Sequence, residues 1–139
     1  MTFSQTALAG RTALITGGGS GIGFGIARAL ARVGARVVIA SRNAERLEAA
    51  AGAIRAEGGT ALAAVADVRE DGAIQAVVDM AVARFGGLDI MVANAAGNFI
   101  LPFSDMSFNA WRTVIDIDLH GTFHSAKAAY PALKASAHG

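Results

Sequence analysis

Thr16-Gly17-Gly18-Gly19-Ser20-Gly21-Ile22-Gly23 decides the fold of this chain. It follows an apolar run, Ala13-Leu14-Ile15, and opens a stretch of helical spacing over 21–33, with Ile22, Ile26, Leu30 and Val33 on one side. A strand, a glycine-rich turn and a helix in that order make an anion site. The helix N-terminus offers unpaired N–H groups and a partial positive charge, and glycine lets a phosphate approach the backbone. The spacing is not G-x-G-x-x-G, because Gly17 and Gly19 would then need a glycine where Ile22 stands. It is G-x-x-x-G-x-G, on Gly17, Gly21 and Gly23. A flexible surface loop would also be rich in glycine, but it would not sit between a strand and a helix.

Outward from this turn, apolar runs alternate with helical periodicity. Residues 12–16, 36–40, 60–66 and 88–93 predict strands. Residues 21–33, 43–56, 69–85 and 107–135 predict helices, the third with Ile74, Val77, Val78, Ala81 and Phe85 inward. Pro131 lies inside the last helix and predicts a kink or a late break. The alternation predicts right-handed crossovers and an α/β, doubly wound parallel sheet of Rossmann-like type, covered on both faces. The nearly all-apolar strands agree, since central parallel strands are buried on both sides. Residues 95–106 form the longest irregular stretch and leave the C-terminal end of the fourth strand, where open α/β sheets bind ligands. A chain of 139 residues fits one domain, 1–139.

Composition narrows the function classes. Apolar residues make up 53% of the chain, which predicts a substantial core. The net charge is +1 and the Lys and Arg residues are scattered, so no nucleic-acid surface is expected. The absence of cysteine excludes disulfides and thiolate metal sites. His120 and His124 are spaced to pair on one helix, but no H-E-x-x-H pattern accompanies them. They read as ordinary surface histidines, and no metal is expected. No basic segment followed by an apolar run begins the chain, so no secretory signal is visible. Residues 90–104 are uncharged up to Ser104 but contain Asn94, Gly97, Asn98 and Pro102, too short and broken to span a bilayer. A soluble, cytoplasmic protein without membrane or nucleic-acid partners is the expectation.

Three further places carry chemistry. Ser41-Arg42 follows the second strand, where a dinucleotide fold meets the adenosine ribose. An acidic residue there would bond the 2′-OH of NAD, whereas arginine and a hydroxyl favour the 2′-phosphate of NADP. A solvated arginine beside a helix start is the plainer alternative. Asp67-Val68 follows the third strand. Asp67 with Glu70 fits a capping box, and Asp67 equally fits an acceptor for an adenine amino group. Asn94-Ala95-Ala96-Gly97 ends the fourth strand, with small residues that let a flat ring lie against the backbone. Asn94 is also a turn former.

Together these sites resemble the short-chain dehydrogenase/reductase family. Its T-G-x-x-x-G-x-G signature matches 16–23, its adenine-site aspartate matches Asp67, and its N-A-A-G motif matches 94–97. The resemblance covers the chain from about residue 10. It implies NAD(P) binding, with pyrophosphate over Ser20, Gly21 and Ile22, adenine near Asp67 and Val68, and ribose-nicotinamide beside Asn94, Ala95, Ala96 and Gly97. With Ser41 and Arg42 the cofactor expected is NADP(H) in preference to NAD. The resemblance also implies a small-molecule substrate, and a dimer or tetramer paired through the long helix that begins near Ser107.

The chain departs from the family's Asn-Ser-Tyr-Lys tetrad. Tyr130-Pro131-Ala132-Leu133-Lys134 has the Y-x-x-x-K spacing, but it ends a helix before any fifth strand, and Ile117 stands where the serine would fall. Tyr130 and Lys134 are therefore expected to be structural. The natural protein is expected to be longer or completed by a second segment, and the isolated segment to be inactive. The family's N-x-x-G asparagine is replaced by Asp118, three residues before Gly121. A carboxylate transfers protons as an amide cannot. Residues 95–99, 107–111 and 116–118 also resemble the 2,4-dienoyl-CoA reductase branch of the family, especially its peroxisomal type. That resemblance implies Asp118 as a catalytic proton relay, an acyl-CoA substrate, and Phe99 with the loop to Met106 facing the acyl chain. Another short-chain reductase acting on a carbonyl, or a non-catalytic nucleotide-binding fragment, are the alternatives.

Overall fold

The computed structural model describes residues 3–138. Its strands are β1 (Thr12–Thr16), β2 (Arg36–Ser41), β3 (Thr60–Val65) and β4 (Ile90–Val92). They form one parallel sheet in the spatial order β3-β2-β1-β4. The helices are α1 (Gly21–Arg32), α2 (Ala44–Ala56), α3 (Ala73–Phe85), α4 (Phe108–Ile115) and α5 (Gly121–Ala135). Strand side chains alternate between two cores, as the pleat requires. Ala13, Ile15, Val37 and Ile39 pack under α1 and α2, while Leu14, Val38, Ala40 and Ala64 pack under α3 and α5. Two buried faces explain why the central strands are almost wholly apolar. The result is the doubly wound α/β sheet expected from the alternation.

Several boundaries and faces differ from the sequence reading. The buried residues of α1 are Gly23, Ala27 and Ala31, whereas Ile22 is 79% exposed. The helix runs so close to the sheet that only small residues fit beneath it, and the larger apolar ones are displaced to its flanks. The third helix begins at Ala73, not 69, because Gly72 at its N-cap takes a left-handed conformation. Strand β4 is shorter than 88–93 and, among the described residues, pairs only with β1. The irregular stretch 95–106 contains one short 3-10 turn, Phe103–Asp105. The long helix is interrupted by a π turn at Asp116–His120, then continues through Pro131 to Ala135 without the late break at that proline.

Asp89 fastens three chain segments at the N-terminal ends of β1 and β4. Its carboxylate accepts from the Thr12 N–H at 2.7 Å and from the Ser136 hydroxyl, and its own N–H donates to Thr12 O at 2.9 Å. Burial pushes this carboxyl up, but the hydrogen bonds from Ser136 and Thr12, with the charges of His138 and Arg11, outweigh it and hold the group below the ordinary range. A lowered folded-state value means the stabilisation is complete above the ordinary carboxylate range and is lost as pH falls through the folded-state value. Asp89→Ala should cost about 2 kcal/mol in chemical denaturation at neutral pH, since the buried Thr12 N–H loses its charged acceptor. Asp89→Asn should lose less stability than wild type on acidification from neutral pH to below the carboxylate range.

Candidate functional site

All four strands deliver their C-terminal ends to one cleft of about 750 Å³. Its wall is built from the glycine turn after β1, Ser41 at the end of β2 with Arg42 and Asn43 after it, Ala66-Asp67-Val68 after β3, and Asn94 to Gly97 after β4, with Arg46 and Ile117 added from α2 and the π turn. Of the residues expected to bind the cofactor or to act in catalysis, Gly21 and Asp118 are not in this wall, and neither is Phe99, expected beside the acyl chain. Gly21 is the turn residue between Ser20 and Ile22, which are.

The three motif glycines have different reasons. Gly17 has φ +67°, and a Cβ there would stand 2.9 Å from Asn94 Nδ2 and 3.1 Å from Ala95 Cα. A Cβ on Gly23 would overlap the Gly17 carbonyl oxygen, a backbone atom. Gly21 has φ +54° with nothing within 4 Å, so only its conformation demands glycine. Thr16 closes the turn against β4. Its hydroxyl accepts from the Asn94 and Ala95 N–H groups, each at 3.1 Å, and the Asn94 side-chain amide donates to Thr16 O at 3.0 Å. Asn94 thus ties β1 to the end of β4, a role beyond simple turn formation.

The first turn of α1 is left open to a ligand. Ser20 makes no side-chain cap and no acidic residue lies in that turn. By contrast, Asn43 accepts from Arg46 N at the start of α2, and Ser107 from Ala110 N at the start of α4. An uncapped helix N-terminus beside small residues suits an anionic group. Across the cleft stand Ser41, Arg42 and Arg46. Arg46 was not legible as a site residue. Its only signal is that the first turn of a helix following a parallel strand faces this edge of the sheet.

Asp67 does not cap a helix, and the capping-box alternative is overturned by the start of α3 at Ala73. Its Oδ1 accepts from the Arg69 N–H at 3.0 Å, and the Arg69 guanidinium grips both oxygens, at 2.6–3.1 Å. The hydrogen-bonded Arg69 side chain, aided by the charges of Arg69 and Arg42, holds this carboxyl below the usual range. It remains an acceptor anion at neutral pH.

Asp118 lies in the π turn, a feature frequent at functional sites. Its Oδ1 accepts from the Gly97 N–H at 2.8 Å, which draws the helix to the Asn94–Gly97 loop. Among the described residues Oδ2 has no hydrogen-bond partner. Gly97 packs on Ile117, whose Cδ1 would lie 2.6 Å from a Cβ there. Tyr130 and Lys134 stand apart from the cleft wall. Tyr130 is 61% exposed, and the Lys134 ammonium lies 5.9 Å from its ring. His120 pairs with Asp116 at 3.1 Å. His124 departs from the expected surface histidine: it is half-buried and its Nδ1 lies 2.8 Å from Val68 O. The residues assembled here could hold a pyrophosphate at α1, a phosphorylated ribose at Arg42 and Arg46, and a flat ring against Asn94 to Gly97.

Residues 11–139 match the family model described as short chain dehydrogenase. The peroxisomal 2,4-dienoyl-CoA reductase [(3E)-enoyl-CoA-producing] of Danio rerio is 46% identical over 129 residues, covering 92% of this chain and 43% of that protein. The Arabidopsis thaliana protein of the same name is 43% identical over 137 residues, covering 99% of this chain and 46% of its own length. The chain spans less than half the length of these relatives. Among solved structures, a short-chain type dehydrogenase/reductase from Mycobacterium marinum superposes with a TM-score of 0.86 at 35% identity, over 90% of this chain and 51% of that one.

Proposed function

The chain belongs to the short-chain dehydrogenase family, and from that premise we propose that it carries the NADPH site and proton relay of a reductase that turns 2,4-dienoyl-CoA into trans-3-enoyl-CoA. The observation that carries this reading is Asp118. A carboxylate replaces the family's asparagine, bonded to Gly97 at the ring end of the cleft, with its second oxygen unpartnered among the described residues. The relatives named 2,4-dienoyl-CoA reductase, at 46% and 43% identity, support the same substrate class.

In this reading Ser20, Gly21, Ile22 and the glycines 17 and 23 receive the pyrophosphate. Ser41 and Arg42, joined by Arg46, bond the 2′-phosphate. Asp67 and Val68 flank the adenine, and Asn94 to Gly97 support the ribose-nicotinamide. When bound, the reduced cofactor supplies a hydride to the terminal carbon of the diene. The negative charge then spreads to the thioester, and a proton must reach the carbon beside the carbonyl, leaving the double bond at position 3. Asp118 holds Gly97 with one oxygen and relays that proton through water with the other. Exposed Phe108, Trp111, Leu119, Phe123 and Tyr130 along α4, the π turn and α5 support assembly into a homo-oligomer.

Full-length protein should consume NADPH when given 2,4-hexadienoyl-CoA. Turnover of a ketone substrate with none of the dienoyl thioester would overturn the substrate assignment. Replacing Arg42 and Arg46 together by alanine should weaken NADPH binding roughly 10- to 100-fold, the effect of losing charge-assisted phosphate bonds. NADH binding should stay within about twofold, and equal losses for both cofactors would place the arginines elsewhere.

A further inference from the structure

The turn between β3 and α3 holds Asp67 and Val68; within it the Glu70 N–H donates to Asp67 O at 3.1 Å and the Arg69 N–H to Asp67 Oδ1 at 3.0 Å, but neither bond reaches Val68. Ala66 is tied to β2 through a 3.0 Å bond from its N–H to Ser41 O. Beyond Ala66 the turn leans on α5. Val68 is 8% exposed, and it packs on the bare backbone of Gly121, where a Cβ would lie 2.6 Å from Val68 Cγ2. One turn further along α5, His124 reaches the same residue. A carbonyl oxygen can only accept, so the 2.8 Å contact to Val68 O requires the proton on His124 Nδ1. The other ring nitrogen faces Asp71 at 3.5 Å, but that side chain is fully exposed and the pair is screened by solvent. The Val68 bond, together with the packing on Gly121, therefore ties the turn to α5.

We propose that His124 is a positioning residue for the adenosine half of the cofactor. Its Nδ1–H holds the Val68 carbonyl, and so sets the depth of the cleft wall beside Asp67. The inference rests on the NADPH reading above. It makes the π turn and α5 supports for the two ends of the cleft: Asp118 steadies Gly97 from the π turn, and His124 steadies Val68 from the helix that follows.

The test uses full-length protein and three titrations by calorimetry: NADPH, its adenosine half 2′,5′-ADP, and its nicotinamide half NMNH. His124→Ala should weaken NADPH and 2′,5′-ADP about five- to tenfold and leave NMNH unchanged. His124→Asn puts an amide N–H where the ring Nδ1 stands and should restore both affinities to within about twofold. His124→Gln carries its amide at the position of the other nitrogen and should not. A structural role alone would weaken both halves together, without rescue by asparagine. That result, or wild-type affinity in His124→Ala, overturns the proposal while leaving the cofactor reading intact. A wild-type protein that binds neither NADPH nor 2′,5′-ADP overturns both.

Discussion

Gly23→Ala should lower the melting temperature by roughly 3–15 °C and abolish NADPH binding. The new methyl would overlap the Gly17 carbonyl oxygen and lie against the Asn94 amide. A flexible side chain could rotate away, but this oxygen is backbone, and the N–H groups of Gly17 and Gly18 on either side of it both donate to Ala40 O, at 2.7 and 3.4 Å. The start of α1 must then move off the sheet. Overpacking of this kind costs about 1–3 kcal/mol, and in a domain of this size each kcal/mol is worth roughly 3–5 °C. The same displacement carries the open N–H groups of α1 away from the place proposed for the pyrophosphate. Gly21→Ala is the contrasting variant. It meets no neighbour, so only its left-handed backbone is strained, by about 1–2 kcal/mol. Thermal melts with and without NADPH distinguish the two, because a ligand raises the melting temperature only of a protein that binds it. A Gly23→Ala protein that melts with wild type and is still stabilised by NADPH would contradict the packing argument.

Asp118→Asn should reduce kcat at least about 100-fold while leaving the Kd for NADPH unchanged. The magnitude is that of losing one positioned proton-transfer group. Asparagine keeps an oxygen for the Gly97 N–H, so the Asn94–Gly97 loop stays in place. What it loses is the ability to pass a proton from Oδ2. Asp118→Ala should lose both, with a raised KM as the loop is released. Unchanged turnover in Asp118→Asn, measured by NADPH consumption with 2,4-hexadienoyl-CoA, would reduce Asp118 to a structural anchor.

The sheet and the glycine turn were legible because their signals are local. Continuous apolar runs in 12–16 and 36–40, and helical spacing between them, leave few ways to bury the chain. The inner face of α1 was not legible. Its apolar residues are regularly spaced, but the distance to the sheet selects Gly23, Ala27 and Ala31, and distance is a tertiary quantity. Asp67 was ambiguous for a different reason. A helix cap and a turn use the same acceptor geometry, and the choice fell to Gly72, whose left-handed backbone delays α3. The π turn leaves no local mark at Asp116–His120, and the contact of His124 with Val68 joins residues far apart in sequence. Arg46 entered the cleft by the angle at which α2 leaves β2. Asp118 was singled out only by counting back from Gly121, and its contact with Gly97 follows from the fold.

The most direct test of the central claim is the fate of the transferred hydride. Full-length protein given 2,4-hexadienoyl-CoA and NADPH deuterated at the transferring position should yield a trans-3-enoyl product with deuterium at the former terminal diene carbon, read by NMR. A dienoyl thioester recovered unlabelled, while the same protein delivers deuterium to a carbonyl carbon of a ketone or 3-oxoacyl substrate, would contradict it.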